Sequence, residues 1–215
     1  RNEKNMRTGH PWHMHIWWAR RPWGACRAVT LAALLPAPTD PLCDDKFVDG
    51  VTSILSGIGF KPASSTREDV EDALMKFVGE LANFSNGAYP TFMDAARELV
   101  LLAGDDRPVV FDSFSGYGAI PAEALRLGAD SIASDLNPVA LLCLKTMLEF
   151  VPKHGNNLID AFRAGAKYLR QEAEERLSQY YPKVDGKYPI AFLWARTVTC
   201  EGPGCGATIP LVSQT

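Results

Sequence analysis

The chain has 215 residues, 47% of them hydrophobic and 22% charged, with a net charge of -3. That is an ordinary balance for a globular protein, long enough for one α/β domain with an appendage and too short for two full-sized domains. The charge gives no overall footprint for nucleic acid, and no apolar run approaches the roughly 20 residues of a spanning helix. Five scattered cysteines do not form a secreted disulfide framework, so a reducing cytoplasm is the expected compartment. The chain starts at Arg1 without a signal segment and reads as a piece of a longer protein.

Residues 1–27 carry six basic side chains against Glu3, a local +5 that leaves -8 for the remainder. The segment also holds four of the five Trp and three of the four His. Arginine pairs bind phosphate and indoles stack on bases, so Arg20, Arg21, Trp17 and Trp18 are candidate nucleic-acid contacts. The alternative is that the Trp residues anchor a helix onto the core. His13 and His15 alternate as on an extended segment, but no carboxylate or thiol stands near to complete a metal site.

Pro22 opens a helix whose apolar positions run from Trp23 to Leu34. Residues 36–65, rich in Pro, Asp, Gly and Ser, predict an irregular connection with one short helix at most. Thr66 then caps a helix with a core stripe of Val70, Leu74, Phe77, Val78 and Leu81, ended by Gly87. A second core helix is expected from about Thr91 to Ala103.

The most informative stretch follows. Val109-Val-Phe-Asp112 reads as a strand, Gly116 and Gly118 as a tight turn, and Pro121 as the start of a helix stopped by Gly128. Ser131 to Ser134 is a second strand, and Asp135 falls 19 residues after Gly116, the length of one βαβ unit. Asn137 and Pro138 cap a helix reaching Phe150, broken at Val151 to Gly155. A long amphipathic helix from about Asn157 to Tyr180 and a strand over Tyr188 to Ala195 complete the prediction.

Such a loop binds a dinucleotide, a flavin or S-adenosylmethionine. Phosphate-binding versions carry a third glycine, which is missing here, and Asp112 would meet a pyrophosphate with like charge. Asp112 suits an ammonium instead, and Asp135 suits ribose hydroxyls. The residues therefore favour S-adenosylmethionine over NAD. Cys200 and Cys205 flank a Gly-Pro-Gly turn, which reads either as half of a zinc ribbon whose other two ligands do not follow before Thr215 or as two free thiols.

Four segments in order carry a resemblance: His15-Ile-Trp-Trp-Ala-Arg-Arg-Pro22, Phe114-Ser-Gly-Tyr-Gly-Ala-Ile-Pro121, Ala133-Ser-Asp-Leu-Asn-Pro138, and Trp194-Ala-Arg-Thr-Val-Thr-Cys200 with Cys205. Together they resemble the adenine-specific DNA methylases that contain a zinc ribbon, large bacterial and archaeal proteins some of which lie beside phage-defence genes. The resemblance implies an N-terminal part of a class I methyltransferase: a helical and Trp/Arg-rich region over 1–104, a Rossmann-like cofactor-binding half over 105–198, and the first half of a zinc ribbon over 199–215.

It places S-adenosylmethionine on Asp112, Ser113, Phe114, Ser115, Gly116, Gly118, Ile120, Asp135, Leu136 and Asn137, and zinc on Cys200 and Cys205. DNA is the implied substrate, its target base leaving the duplex to be reached. The family's catalytic Asn-Pro-Pro-Tyr loop is absent from the 215 residues, so no catalytic residue is expected in this chain. The acceptor would be held by a C-terminal half or a partner subunit, in company with other defence proteins. A non-catalytic cofactor- or DNA-binding subunit is the alternative. Tyr117 stands where the family has glycine, and narrows the turn.

Overall fold

The computed structural model describes residues 15, 17, 21–181, 183–187, 189, 191–192 and 194–212. Trp18, Arg20 and His13 lie outside them, as do Tyr188, Ile190 and Leu193 of the strand expected over 188–195. The chain forms two compact units, Arg1–Leu158 and Ile159–Thr215.

The first unit opens with four helices: α1 (Trp23–Leu34), α2 (Asp45–Gly57), α3 (Arg67–Leu81) and α4 (Pro90–Leu102). Each cap follows from sequence. The side chains of Asp44 and Thr66 accept from backbone N–H groups one turn inside α2 and α3, and Pro90 is the first residue of α4. α2 is longer than the irregular 36–65 segment suggested. Phe47, Val48, Val51 and Leu55 recur on one face and are all buried, and the burial of that stripe outweighs the loop-like composition around it. α3 ends at Leu81, before Gly87, because a 3-10 turn (Phe84–Ala88) intervenes. Phe77 stacks on Phe92 at 6.0 Å between centroids, and Phe60 meets both rings edge-on.

Strand β1 (Val109–Asp112), helix α5 (Ala119–Arg126) and strand β2 (Asp130–Ala133) make a βαβ unit, the strands parallel with Phe111 opposite Ile132. Val110, Asp112, Ser131 and Ala133 are half-buried, whereas Val109, Phe111, Asp130 and Ile132 on the other face are exposed. Asn137 caps α6 (Pro138–Leu144), accepting from Val139 N–H at 2.9 Å. The helix does not break at Val151. It runs through a π-helical segment (Lys145–Phe150) into α7 (Val151–His154) and stops at Gly155, where φ is 51°.

The division between units falls one turn inside α8 (Asn156–Leu177). Among its described residues none is buried, and Phe162 and Leu169 are exposed. In the second unit, Pro189, Ala191, Phe192, Trp194 and Ala195 are not in a strand; the pairing starts later, as an antiparallel hairpin of β3 (Arg196–Thr199) and β4 (Thr208–Leu211). No described helix is long and apolar enough to cross a membrane.

A buried charge cluster ties the helices to the βαβ unit. Arg27 of α1 and Glu123 of α5 are both 0% exposed, with Nη1 and Oε2 3.7 Å apart. Arg27 also donates from Nε and Nη2 to the Leu81 carbonyl at 3.0 and 2.7 Å, and from Nη2 to that of Asn83 at 2.7 Å. Arg126 donates to Glu123 Oε1 at 2.8 Å and to the Gly87 carbonyl. Gly87 must lack a side chain, since a Cβ there would lie inside the Arg27 guanidinium. α1 and α5 thus pack together within one compact unit. Removing one partner of a buried ion pair costs about 3–5 kcal/mol. Arg27→Met is expected to lower the unfolding free energy by about that amount in urea titration, and Gly87→Ala to lower it in the same direction.

Candidate functional site

The loops after β1 and β2 are laced together, and a pocket lies at their junction. Asp112, the last residue of β1, accepts from Phe114 N–H at Oδ1 (3.1 Å), while its carbonyl accepts from the Ser115 hydroxyl at 2.7 Å and from Ser134 N–H at 3.0 Å. Ser115 N–H donates to the Ser134 carbonyl at 3.0 Å. Asp135 holds the two loops together: Oδ2 accepts from Gly116 N–H at 2.7 Å, and Oδ1 from Asn137 N–H at 2.9 Å. Each oxygen keeps a second lone pair. Oδ2 of Asp112 makes no hydrogen bond among the described residues.

The two glycines serve different contacts. Gly116, at φ 50°, faces the Trp17 indole, whose Nε1 would be 3.1 Å from an added Cβ. Gly118, at φ 88°, faces Leu144 and Met147, and a Cβ there would be 2.7 Å from Leu144 Cδ2. Gly118 therefore admits the helix after β2 rather than a ligand.

The pocket has a volume of about 390 Å³, within the roughly 300–1,000 Å³ of small-molecule sites. Of the residues expected to hold a cofactor, Asp112, Phe114, Ser115, Gly116, Ile120 and Asp135 line it. Ser113, Gly118, Leu136 and Asn137 do not. Ser113 offers its carbonyl to the Ser134 hydroxyl at 3.1 Å, Leu136 is 99% exposed, and Asn137 caps α6.

Two further walls come from far earlier in the chain: Trp17 and Arg21, read from sequence as nucleic-acid contacts, both line this pocket. Trp17 is 5% exposed and packs in one cluster with Trp23, Cys26 and Tyr117. Tyr117 and Ala119 also line the pocket, though neither was singled out as a ligand contact. The position of Tyr117 between the two glycines was the available signal. Arg21 is exposed and makes no hydrogen bond or ion pair with any described residue. The pocket thus carries two carboxylates, one guanidinium and three aromatic rings.

Cys200 and Cys205 stand on the β3–β4 turn, closed by Cys200 N–H to the Ala207 carbonyl at 2.8 Å and Cys205 N–H to the Gly202 carbonyl at 3.0 Å. Among the described residues no group of three or more His, Cys, Asp or Glu is placed to hold a metal. The two thiols interact. The Ala207 backbone N–H, and then the Cys200 side chain, hold the Cys205 thiol below its usual pKa. Burial pushes the thiols of Cys43 and Cys143 up.

Residues 1–52 match a family model described as a protein of unknown function (DUF1156). No curated protein and no solved structure matches the chain. The described part of the matched segment includes Trp17 and Arg21 of the pocket and Arg27 of the buried cluster.

The thiolate is the reactive form, so a lowered pKa raises reactivity at a given pH. With a chelator present, Cys205 is expected to be alkylated by iodoacetamide before Cys43 and Cys143 and at lower pH, read by peptide mass spectrometry.

Proposed function

We propose that the chain is the cofactor-binding part of an S-adenosylmethionine-dependent DNA adenine methyltransferase. The observation that carries this reading is the charge pattern of the pocket, with Asp112 and Asp135 on one small-molecule cavity and a single cation, Arg21, among its described lining residues. The net negative lining favours a ligand with positive charge and hydroxyls and opposes a pyrophosphate. S-adenosylmethionine has an ammonium for Asp112 and a ribose diol for Asp135, whose oxygens each retain a lone pair. Trp17, Phe114 and Tyr117 offer ring faces to a cation and to a flat base.

When bound, the cofactor supplies an electrophilic methyl group. The work of this chain is orientation: Asp135 fixes both loops through Gly116 and Asn137 while presenting its free lone pairs to the pocket. The choice of DNA adenine as acceptor, a setting in phage defence or restriction-modification and a cytoplasmic location rest on the four resembling segments. So does zinc, for which Cys200 and Cys205 would be two of four tetrahedral ligands.

One sequence observation favours a second reading. The 215 residues contain no Asp/Asn/Ser-Pro-Pro-aromatic segment to grip an amine. On that reading the chain is a cofactor- or DNA-binding subunit and its partner supplies the acceptor site.

Calorimetric titration tests the cofactor. The parent protein is expected to bind S-adenosylmethionine and not NAD. Asp112→Asn, which keeps an oxygen for the Phe114 N–H, and Asp135→Ala should each weaken binding about tenfold or more, since a hydrogen bond to a charged group contributes about 1.5–3 kcal/mol. Equal affinity in both variants, or tighter binding of NAD by the parent, overturns the reading.

A further inference from the structure

We propose that Arg21 binds the carboxylate at the amino-acid end of the cofactor, an inference that rests on the S-adenosylmethionine reading of the same pocket. Charge matching within the cavity leads to it. Asp112 and Asp135 can accept hydrogen bonds only, and they suit the ammonium and the ribose hydroxyls. The one anionic group of S-adenosylmethionine is its α-carboxylate, which both carboxylates repel. Among the described residues that line the pocket, Arg21 alone carries positive charge. Its guanidinium presents a planar fork of donors that matches a carboxylate at two points.

The state of Arg21 distinguishes it from the structural arginines of this chain. Arg27 is fully buried on carbonyls and Glu123, Arg67 donates to the carbonyls of Pro38 and Cys43 and to Asp45, and Arg97 and Arg126 each pair with a carboxylate. Arg21 makes no hydrogen bond or ion pair with a described residue and yet stands at a cavity. Trp17 before it and Trp23 after it are buried in one cluster, and Pro22 sets the backbone at the start of α1. A cation next to the start of a helix loses less conformational freedom on binding than one on a free arm. Arg21, which looks from sequence like a phosphate contact, thus becomes a specificity element of the cofactor site.

The test compares S-adenosylmethionine with decarboxylated S-adenosylmethionine, identical except for the missing carboxylate, by calorimetry on the parent, Arg21→Met and Arg21→Lys. Arg21→Met is expected to weaken S-adenosylmethionine about 10- to 100-fold and to leave the decarboxylated ligand unchanged, with Arg21→Lys recovering part of the loss. Arg21 is exposed, so the thermal midpoint without ligand should not move. Equal weakening of both ligands, or of neither, overturns the inference while leaving the pocket assignment intact. Loss of duplex DNA affinity in Arg21→Met with unchanged S-adenosylmethionine binding also overturns it, and assigns the guanidinium to phosphate. Failure of the parent to bind either ligand removes the cofactor reading itself, and this inference with it.

Discussion

The buried guanidinium of Arg27 is the constraint on which the first unit depends. A charge without water must find acceptors, and Arg27 finds them where helices have carbonyls to spare. Leu81 is the last residue of α3, and its carbonyl has no partner further along that helix. The same guanidinium faces Glu123 in the middle of α5, so that the end of α3, the start of the 3-10 turn and the βαβ unit are all referred to one side chain of α1. Gly87 and Gly24 permit that approach. A Cβ at Gly24 would meet the Ala82 carbonyl, and one at Gly87 the guanidinium itself. Apolar burial is non-directional, whereas these bonds constrain direction as well as distance.

The position of α1 has a consequence at the other end of the helix. With Arg27 fixed against α5, Arg21 lines the pocket at the loop after β1, and Trp17 packs against Gly116. The pocket is then built from two sources: carboxylates at the ends of two parallel strands, and an indole and a guanidinium from the segment that matches the family of unknown function. The βαβ unit positions the carboxylates through its own backbone hydrogen bonds. Trp17 and Arg21, which precede α1, add an indole wall and a positive charge.

What could be read from the sequence was local. Thr66 and Asn137 have the side chains that cap helices, and both do. Val109-Val-Phe-Asp112 and Asp130–Ala133 form a parallel pair because a short apolar run, a turn and a helix of about eight residues return the chain to the same sheet edge. Half-buried Asp112 and Asp135 follow from being the residues at or just after the strand ends. Where local composition and long-range burial disagreed, burial prevailed. α2 formed inside a Pro-, Asp- and Gly-rich stretch because its apolar stripe joins the helical core, and the helix from Pro138 continued past Val151 by passing through a π-helical turn.

The sequence by itself determined the glycine loop, the two acidic residues that serve it and the paired thiols of the last hairpin, because each is set by a few neighbouring residues and the backbone freedom of glycine. Only the tertiary structure decided where Trp17 and Arg21 stand. From composition, Trp17 and Arg21 are aromatic and basic side chains suited to nucleic acid. In the fold, Trp17 is buried against Gly116, and Arg21 lines a cavity together with Asp112 and Asp135. That difference is a matter of contacts between residues far apart in the chain, which the packing of α1 on α5 brings together and no spacing in the sequence records.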